Sequence, residues 1–432
     1  MRGRILRIEL RRSAAAISGA LVAFFGIAGL YTLFLTDQGS VWDVQWTMLA
    51  GFQRVLLVLL WPLALGAGAW LARRDRRTRM EELLLTTPRP VRSRVLPSAV
   101  ALGLCLGLGY LLVLGAGAVA MSPSYNHLGW VPIAVVGALS LVAAGWLGLG
   151  IGRLLPSTYT PPLLAVAGVL VLILPVQLGK DGGLDRAALL APNLSTNLDE
   201  VTTVDGSSSL GQSAWFAGLA LAGLVLAFAA RRRGAVLAIV PALVGLVVAL
   251  PMLAAGPPSG LRIDPAAVAE VCTTDGGPAV CVSKVHERDL AALTGPARRA
   301  LELLAKLSDP PTSVHEVRST RPGPQPTSEV WFDSENHNSE SGWIGEGDAL
   351  AVRVLAGAGT RPCGQPGFRD RAMAAAWLWG SYPLPGGEPA PTVTAERTAL
   401  WEQFRSLPAA EQLQRVLVIR AVGLACPKGD RQ

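Results

Sequence analysis

The chain has 432 residues, 51% hydrophobic and 16% charged, with a mean hydropathy of +0.40. A soluble domain carries about 25% charged residues, so water is excluded as the solvent for much of this chain. The net charge of +7 does not mark a nucleic-acid binder, because the basic residues sit at the ends of apolar runs and form no patch with interleaved aromatics.

The first apolar run covers 14–35 and follows Arg2, Arg4, Arg7, Arg11 and Arg12. It exceeds the roughly 7–15 residues of a secretory signal core and reads as an uncleaved anchor. Further runs follow at 55–71, 95–120, 130–152, 161–178, 214–230 and 235–255. Each is at or near the length of about 17–25 residues that a hydrocarbon core demands of a helix. Helices are required there, since lipid offers no partner to an unpaired backbone amide or carbonyl. The weakest run, 214–230, is separated from its successor by 231–234 and predicts a tight helical hairpin.

Basic residues in short loops orient such a chain. Arg73, Arg74, Arg76, Arg77, Arg79, Arg89, Arg92 and Arg94 lie between the second and third runs, Arg153 follows the fourth, and Arg231, Arg232 and Arg233 separate the last two. All share one side with the N-terminus if every run crosses; the alternate loops hold Arg54, Lys180 and Arg186. The N-terminus is therefore expected in the cytoplasm and the region after the seventh crossing outside, in the plasma (inner) membrane of a bacterium. Trp42, Trp46, Trp130 and Trp215 fall near the expected outer ends, where interfacial aromatics gather. No acidic or basic residue is expected well inside a crossing, which argues against a proton relay or an ion-coupled carrier. Gly103 with Gly107, and Gly148 with Gly152, have the spacing for close helix approach, but among 47 glycines such spacing also arises by chance.

The remainder, 256–432, reads as a small α+β domain. Helical patterns cover 296–307, 369–379, 394–407 and 409–424, and strand patterns cover 313–318, 328–332 and 350–355. Cys272, Cys281, Cys363 and Cys426 all fall here, whereas Cys105 sits in the third apolar run as a small packing residue. An even set on the outer side predicts two disulfides. Of three connectivities, the favoured one joins Cys272 to Cys281 and leaves Cys363 for Cys426. Zinc is the competing reading, disfavoured because the sequence has no CxxC pair and no neighbouring His cluster.

Catalytic motifs are not completed. His315 and Glu316 begin an HExxH pattern whose second His is missing, and predict a strand edge; Gly179 and Lys180 lack the rest of a P-loop. The chain is expected to be no enzyme and to hold no cofactor or metal of its own.

The loop 72–94 is the most specific segment. Met80, Leu83 and Leu84 share a face of a short helix containing Glu81 and Glu82, behind the arginines 73–79, and Pro88 and Arg89 follow where it ends. An apolar ridge on a charged helix suits docking in a partner's groove.

On these residues the chain resembles the permease subunits of type-2 ABC exporters. In that family a basic loop with an E-L-L-x-x-x-P flavour forms the coupling helix that docks on a separate ATPase, and Glu82, Leu83, Leu84 and Pro88 match it here. The N-terminal stripe of Arg4, Arg7 and Arg11 and the long loop 179–212 are also similar. The likeness covers about 1–230; the family core has six crossings, so the seventh and the outer domain are departures. The resemblance implies an exporter permease that pairs with a cytoplasmic ABC ATPase, which would bind the ATP, and forms a homodimer or a heterodimer with a related permease. The alternative is a membrane-anchored sensor or envelope assembly protein whose outer domain binds a ligand or partner.

Overall fold

A computed structural model describes residues 14–34, 42, 45–73, 91–121, 125–182, 185–194, 198–229, 232–317, 324–332, 347–361, 368–382, 384–385 and 391–425. The chain is mostly helical and divides into two compact units, 1–264 and 265–432.

In the first unit, α1 (Ala14–Phe34) is followed by α2 (Trp46–Val55) and α3 (Leu57–Ala72), which meet at Leu56 with a bend of 54°. Next come α4 (Val91–Ala120), α5 (Trp130–Leu154) and α6 (Thr160–Gly182). A short strand β1 (Thr202–Val204) precedes α7 (Gly206–Phe228), and a turn at Arg232–Ala235 leads to α8 (Ile239–Ala255) and β2 (Leu261–Ile263). β1 and β2 pair antiparallel, Thr202 opposite Ile263. This pairing carries the first unit past the expected boundary at 255 to Asp264.

Among the described residues, five helices are long and apolar enough to cross a membrane, and six if α2 and α3 form one bent crossing. The expectation was seven. The difference falls on α6, whose apolar part among the described residues, Thr160–Leu174, is shorter than a crossing. α8 is apolar all round, and Val240, Leu243, Val244 and Val247 are each more than half exposed. Such a helix calls for an apolar surrounding rather than water.

Small residues set the packing. A Cβ on Gly68 would strike the Gly145 carbonyl, and one on Gly148 would strike the Leu65 carbonyl, so α3 and α5 touch backbone to backbone. The Gly148 and Gly152 spacing is therefore used, whereas a Cβ on Gly107 would meet nothing within 4 Å. α7 and α8 pack antiparallel, with Gly218 against Gly245 and Gly211 against Leu253, which is the expected hairpin. Asp205 caps α7: its carboxylate accepts from the Ser207 amide at 2.9 Å and hydroxyl at 2.5 Å, and the hydroxyl bond holds it below the usual carboxylate range.

A test separates the used glycines from the idle one. Gly148→Ala should lower the melting temperature in detergent, because backbone leaves no flexible neighbour to yield, at a cost of about 1–3 kcal/mol. Gly107→Ala should leave the melting temperature unchanged or raise it, with a gain in stability of up to about 1 kcal/mol from helix propensity alone. Equal melting of the two variants would contradict the observed α3–α5 contact.

The second unit has a four-stranded sheet in the order β3 (Glu270–Thr273), β4 (Val280–Ser283), β5 (Ser313–Glu316), β6 (Glu329–Phe332). β3 and β4 form an antiparallel hairpin, while β4, β5 and β6 run parallel. The helices are α9 (Leu290–Leu304), α10 (Asp348–Leu355), α11 (Phe368–Trp379), α12 (Pro391–Arg405) and α13 (Ala409–Leu424). Val280, Val282, Val314, Val330 and Phe332 of the sheet share one core with Leu301, Leu304, Leu350, Val354, Ala375 and Trp401. The segment 350–355, expected as a strand, is the end of α10. Leu350, Val352 and Val354 recur at every second position as one face of a strand would, but Leu350, Ala351, Val354 and Leu355 are the buried set, and that spacing is helical. β5 ends on His315 and Glu316, as expected for a strand edge, and lies between β4 and β6.

Candidate functional site

The first unit holds a buried polar cluster at the junction of α2 and α3. Gln53 and Arg54 are both 0% exposed, and Gln212 of α7 is 2% exposed. Arg54 Nε and Nη2 donate to the Pro192 carbonyl at 3.0 and 2.7 Å, and Nη1 donates to Gln212 Oε1 at 2.9 Å. Gln212 Nε2 donates in turn to the Leu189 carbonyl at 2.8 Å, and Trp215 Nε1 to the Leu190 carbonyl at 3.0 Å. Gln45 Nε2 reaches the Glu200 carbonyl at 2.9 Å, and Gln53 Nε2 the Tyr110 carbonyl of α4 at 2.5 Å. Side chains of α2 and α7, with Gln45 just before α2, thus capture the carbonyls of Leu189, Leu190, Pro192 and Glu200. These four residues lie outside the regular helices, where side chains supply the partners that a helix ladder would.

Arg54 corrects two expectations. It is no loop residue, and the interior does hold a charge. The apolar run starts at Val55, but the helix bearing Arg54 starts at Trp46, because Thr47, Gln53 and Arg54 make their polar contacts inside the unit. A hydropathy reading ends where those polar residues begin. The partners of Arg54 are neutral acceptors, and no carboxylate stands against it among the described residues. A guanidinium stays protonated, so this group can pin carbonyls or attract an anion but cannot carry a proton through the unit.

The tryptophans assigned to an outer belt also pack. Trp42 is 1% exposed, and Trp46 stacks on Trp130 with centroids 5.2 Å apart. Beside them, His127 Nδ1 accepts from the Gly129 amide at 2.9 Å, so its neutral ring carries the proton on Nε2, facing Thr47 Oγ1 at 2.8 Å.

Of the expected coupling residues, Met80, Glu81, Glu82, Leu83, Leu84, Pro88 and Arg89 lie outside the described residues, as do Arg74, Arg76, Arg77, Arg79 and Arg231. Arg73 ends α3 and donates to Thr158 Oγ1 at 3.0 Å. Arg232 and Arg233 fall in the turn Arg232–Ala235.

In the second unit Cys272 and Cys281 form a disulfide between β3 and β4. Cys363 and Cys426 lie outside the described residues, and Cys105 is a half-buried free thiol in α4. The sheet register sets Cys272 opposite Cys281, Cys281 opposite His315, and His315 opposite Trp331, in one row across four strands. His315 Nδ1 lies 2.9 Å from Glu270 Oε1 and its Nε2 lies 3.0 Å from Ser313 Oγ. Ligand atoms of Glu270, Cys281 and His315 come within 4.8 Å of one another. Glu316, beside His315 in sequence, faces the other way: Oε1 meets His286 Nδ1 at 2.6 Å and Oε2 accepts from the Ser283 amide at 2.6 Å, both inside the unit. It ties β5 to β4 and to His286 inside the unit.

No protein family, curated protein or solved structure matches the chain.

Proposed function

We propose that the chain is the membrane-spanning permease subunit of an ABC transporter, an exporter driven by a separate cytoplasmic ATPase. The observation that carries the reading is the charged segment 72–94, whose sequence spaces Met80, Leu83 and Leu84 as one helix face would, between α3 and α4 of a unit with five or six helices long and apolar enough to cross a membrane. The interior charge supports the same assignment. Arg54 cannot load and release a proton, so it is no proton relay itself, and this reading seeks the energy for transport in a partner.

In this reading the unit 1–264 lies in the plasma membrane, with the 72–94 loop on the cytoplasmic side and the second unit outside. Seven crossings would be completed by α6. The Arg54 cluster would then lie toward the outer end of the bent α2–α3 crossing, where irregular backbone is tolerated only if protein satisfies it.

Two measurements bear on this. Purification from mild detergent should recover an ABC ATPase bound to the chain, and recovery of the intact chain without one would favour the sensor reading. That second reading draws on the second unit's own core and sheet, which are enough to present a binding surface. Orientation is tested by single reporter cysteines in a cysteine-free background. An impermeant reagent on intact cells should label a reporter near Gly276 and spare one near Arg76. The opposite pattern would invert the topology.

A further inference from the structure

We propose that Cys272, Cys281, His315 and Glu270 form a redox-gated site for a zinc-class divalent cation: closed while the disulfide stands, and open to metal when it is reduced. The argument is the sheet register. Neighbouring strands lie about 4.8 Å apart, and residues directly opposite one another project from the same face. Cys272, Cys281 and His315 are such neighbours on β3, β4 and β5. Glu270, two residues before Cys272 on β3, shares that face and already touches the imidazole. Two sulfurs, one imidazole and one carboxylate are the donor classes of a four-coordinate zinc site. A tetrahedron with bonds of about 2.0–2.3 Å has edges of roughly 3.3–3.8 Å. The present spacing of up to 4.8 Å leaves about 1 Å to close, within reach of side-chain rotation once the sulfurs are released.

The gating step balances with a dithiol reductant. Cys272 is exposed and Cys281 is buried. A reductant thiolate attacks Cys272 Sγ, the protein disulfide breaks, and Cys281 leaves as a thiolate beside His315. The reductant's second thiol then displaces Cys272 as a thiolate and departs as the reductant's own disulfide. Two electrons have entered the protein, the reductant's two protons go to solvent, and both thiolates are available to the cation. The site lies wholly within the second unit and does not depend on the transporter reading.

The test uses the full chain in detergent, titrated with cobalt(II) as a spectroscopic substitute for zinc, before and after reduction by a phosphine. The reduced chain should bind one equivalent with the absorption of a tetrahedral, thiolate-ligated ion, and zinc should displace it; the unreduced chain should not. His315→Ala keeps all five cysteines and should weaken binding by about 100-fold, since even residues that only support metal ligands cost 10–100-fold. Glu270→Gln should weaken it by about tenfold. Equal binding by the unreduced chain, no binding after reduction, or an unchanged titration in His315→Ala would each overturn the site.

Discussion

Leu83→Asp is expected to abolish recovery of the ATPase while leaving the membrane unit folded. In sequence Leu83 falls between α3 and α4 and outside the apolar runs, so in the proposed reading a carboxylate there escapes the roughly 2.5–3.5 kcal/mol cost of a charge at mid-membrane. Forced into an apolar docking groove, the same carboxylate is desolvated without a partner. That costs several kcal/mol, and each 1.4 kcal/mol is a tenfold loss of affinity. Leu84→Asp should behave alike. Copurification reads the interface, and a detergent melting curve reads the fold. Unchanged ATPase recovery with both variants would reduce 72–94 to a topological determinant and remove the main support for the exporter assignment.

Arg54→Leu is expected to lower the stability of the first unit by about 2 kcal/mol. Buried polar contacts in membrane proteins average about 0.6 kcal/mol and reach about 1.7. Three contacts end on Arg54, and its charge strengthens each. Removing a buried cation also relieves its desolvation, which can make an apolar replacement of a whole ion pair favourable. That relief does not win here, because the partners stay behind: the Pro192 carbonyl loses both donors from Arg54, and Gln212 Oε1 loses its own. Gln212→Leu should cost less, about 1 kcal/mol, and the double variant less than the sum, because both act on one network. Melting curves of the four proteins make the cycle. A melting temperature unchanged or raised in Arg54→Leu would show that the cluster does not hold the 189–200 segment.

The apolar helices were legible without a structure, because lipid-length runs and arginine clusters are local properties of the chain. The α9, α11, α12 and α13 helices and the strands β5 and β6 were legible for the same reason, as was the Cys272–Cys281 pair, nine residues apart across a turn. The strands β1 to β4 were not. β4 is buried at every position and so shows no alternation, and β1 exists because β2, distant in sequence, completes its hydrogen bonds, with Thr202 opposite Ile263.

The two clusters that matter most depend on contacts distant in sequence. Arg54 reads as a loop residue until Pro192 and Gln212, 138 and 158 positions away, supply acceptors that let it enter the interior. His315 reads as the start of a failed protease motif until parallel pairing of β4 with β5 sets it beside Cys281, 34 positions before it. Hydropathy fixes where a segment is solvated, residue by residue. Strand register and helix packing decide which polar groups meet, and only the folded chain supplies them.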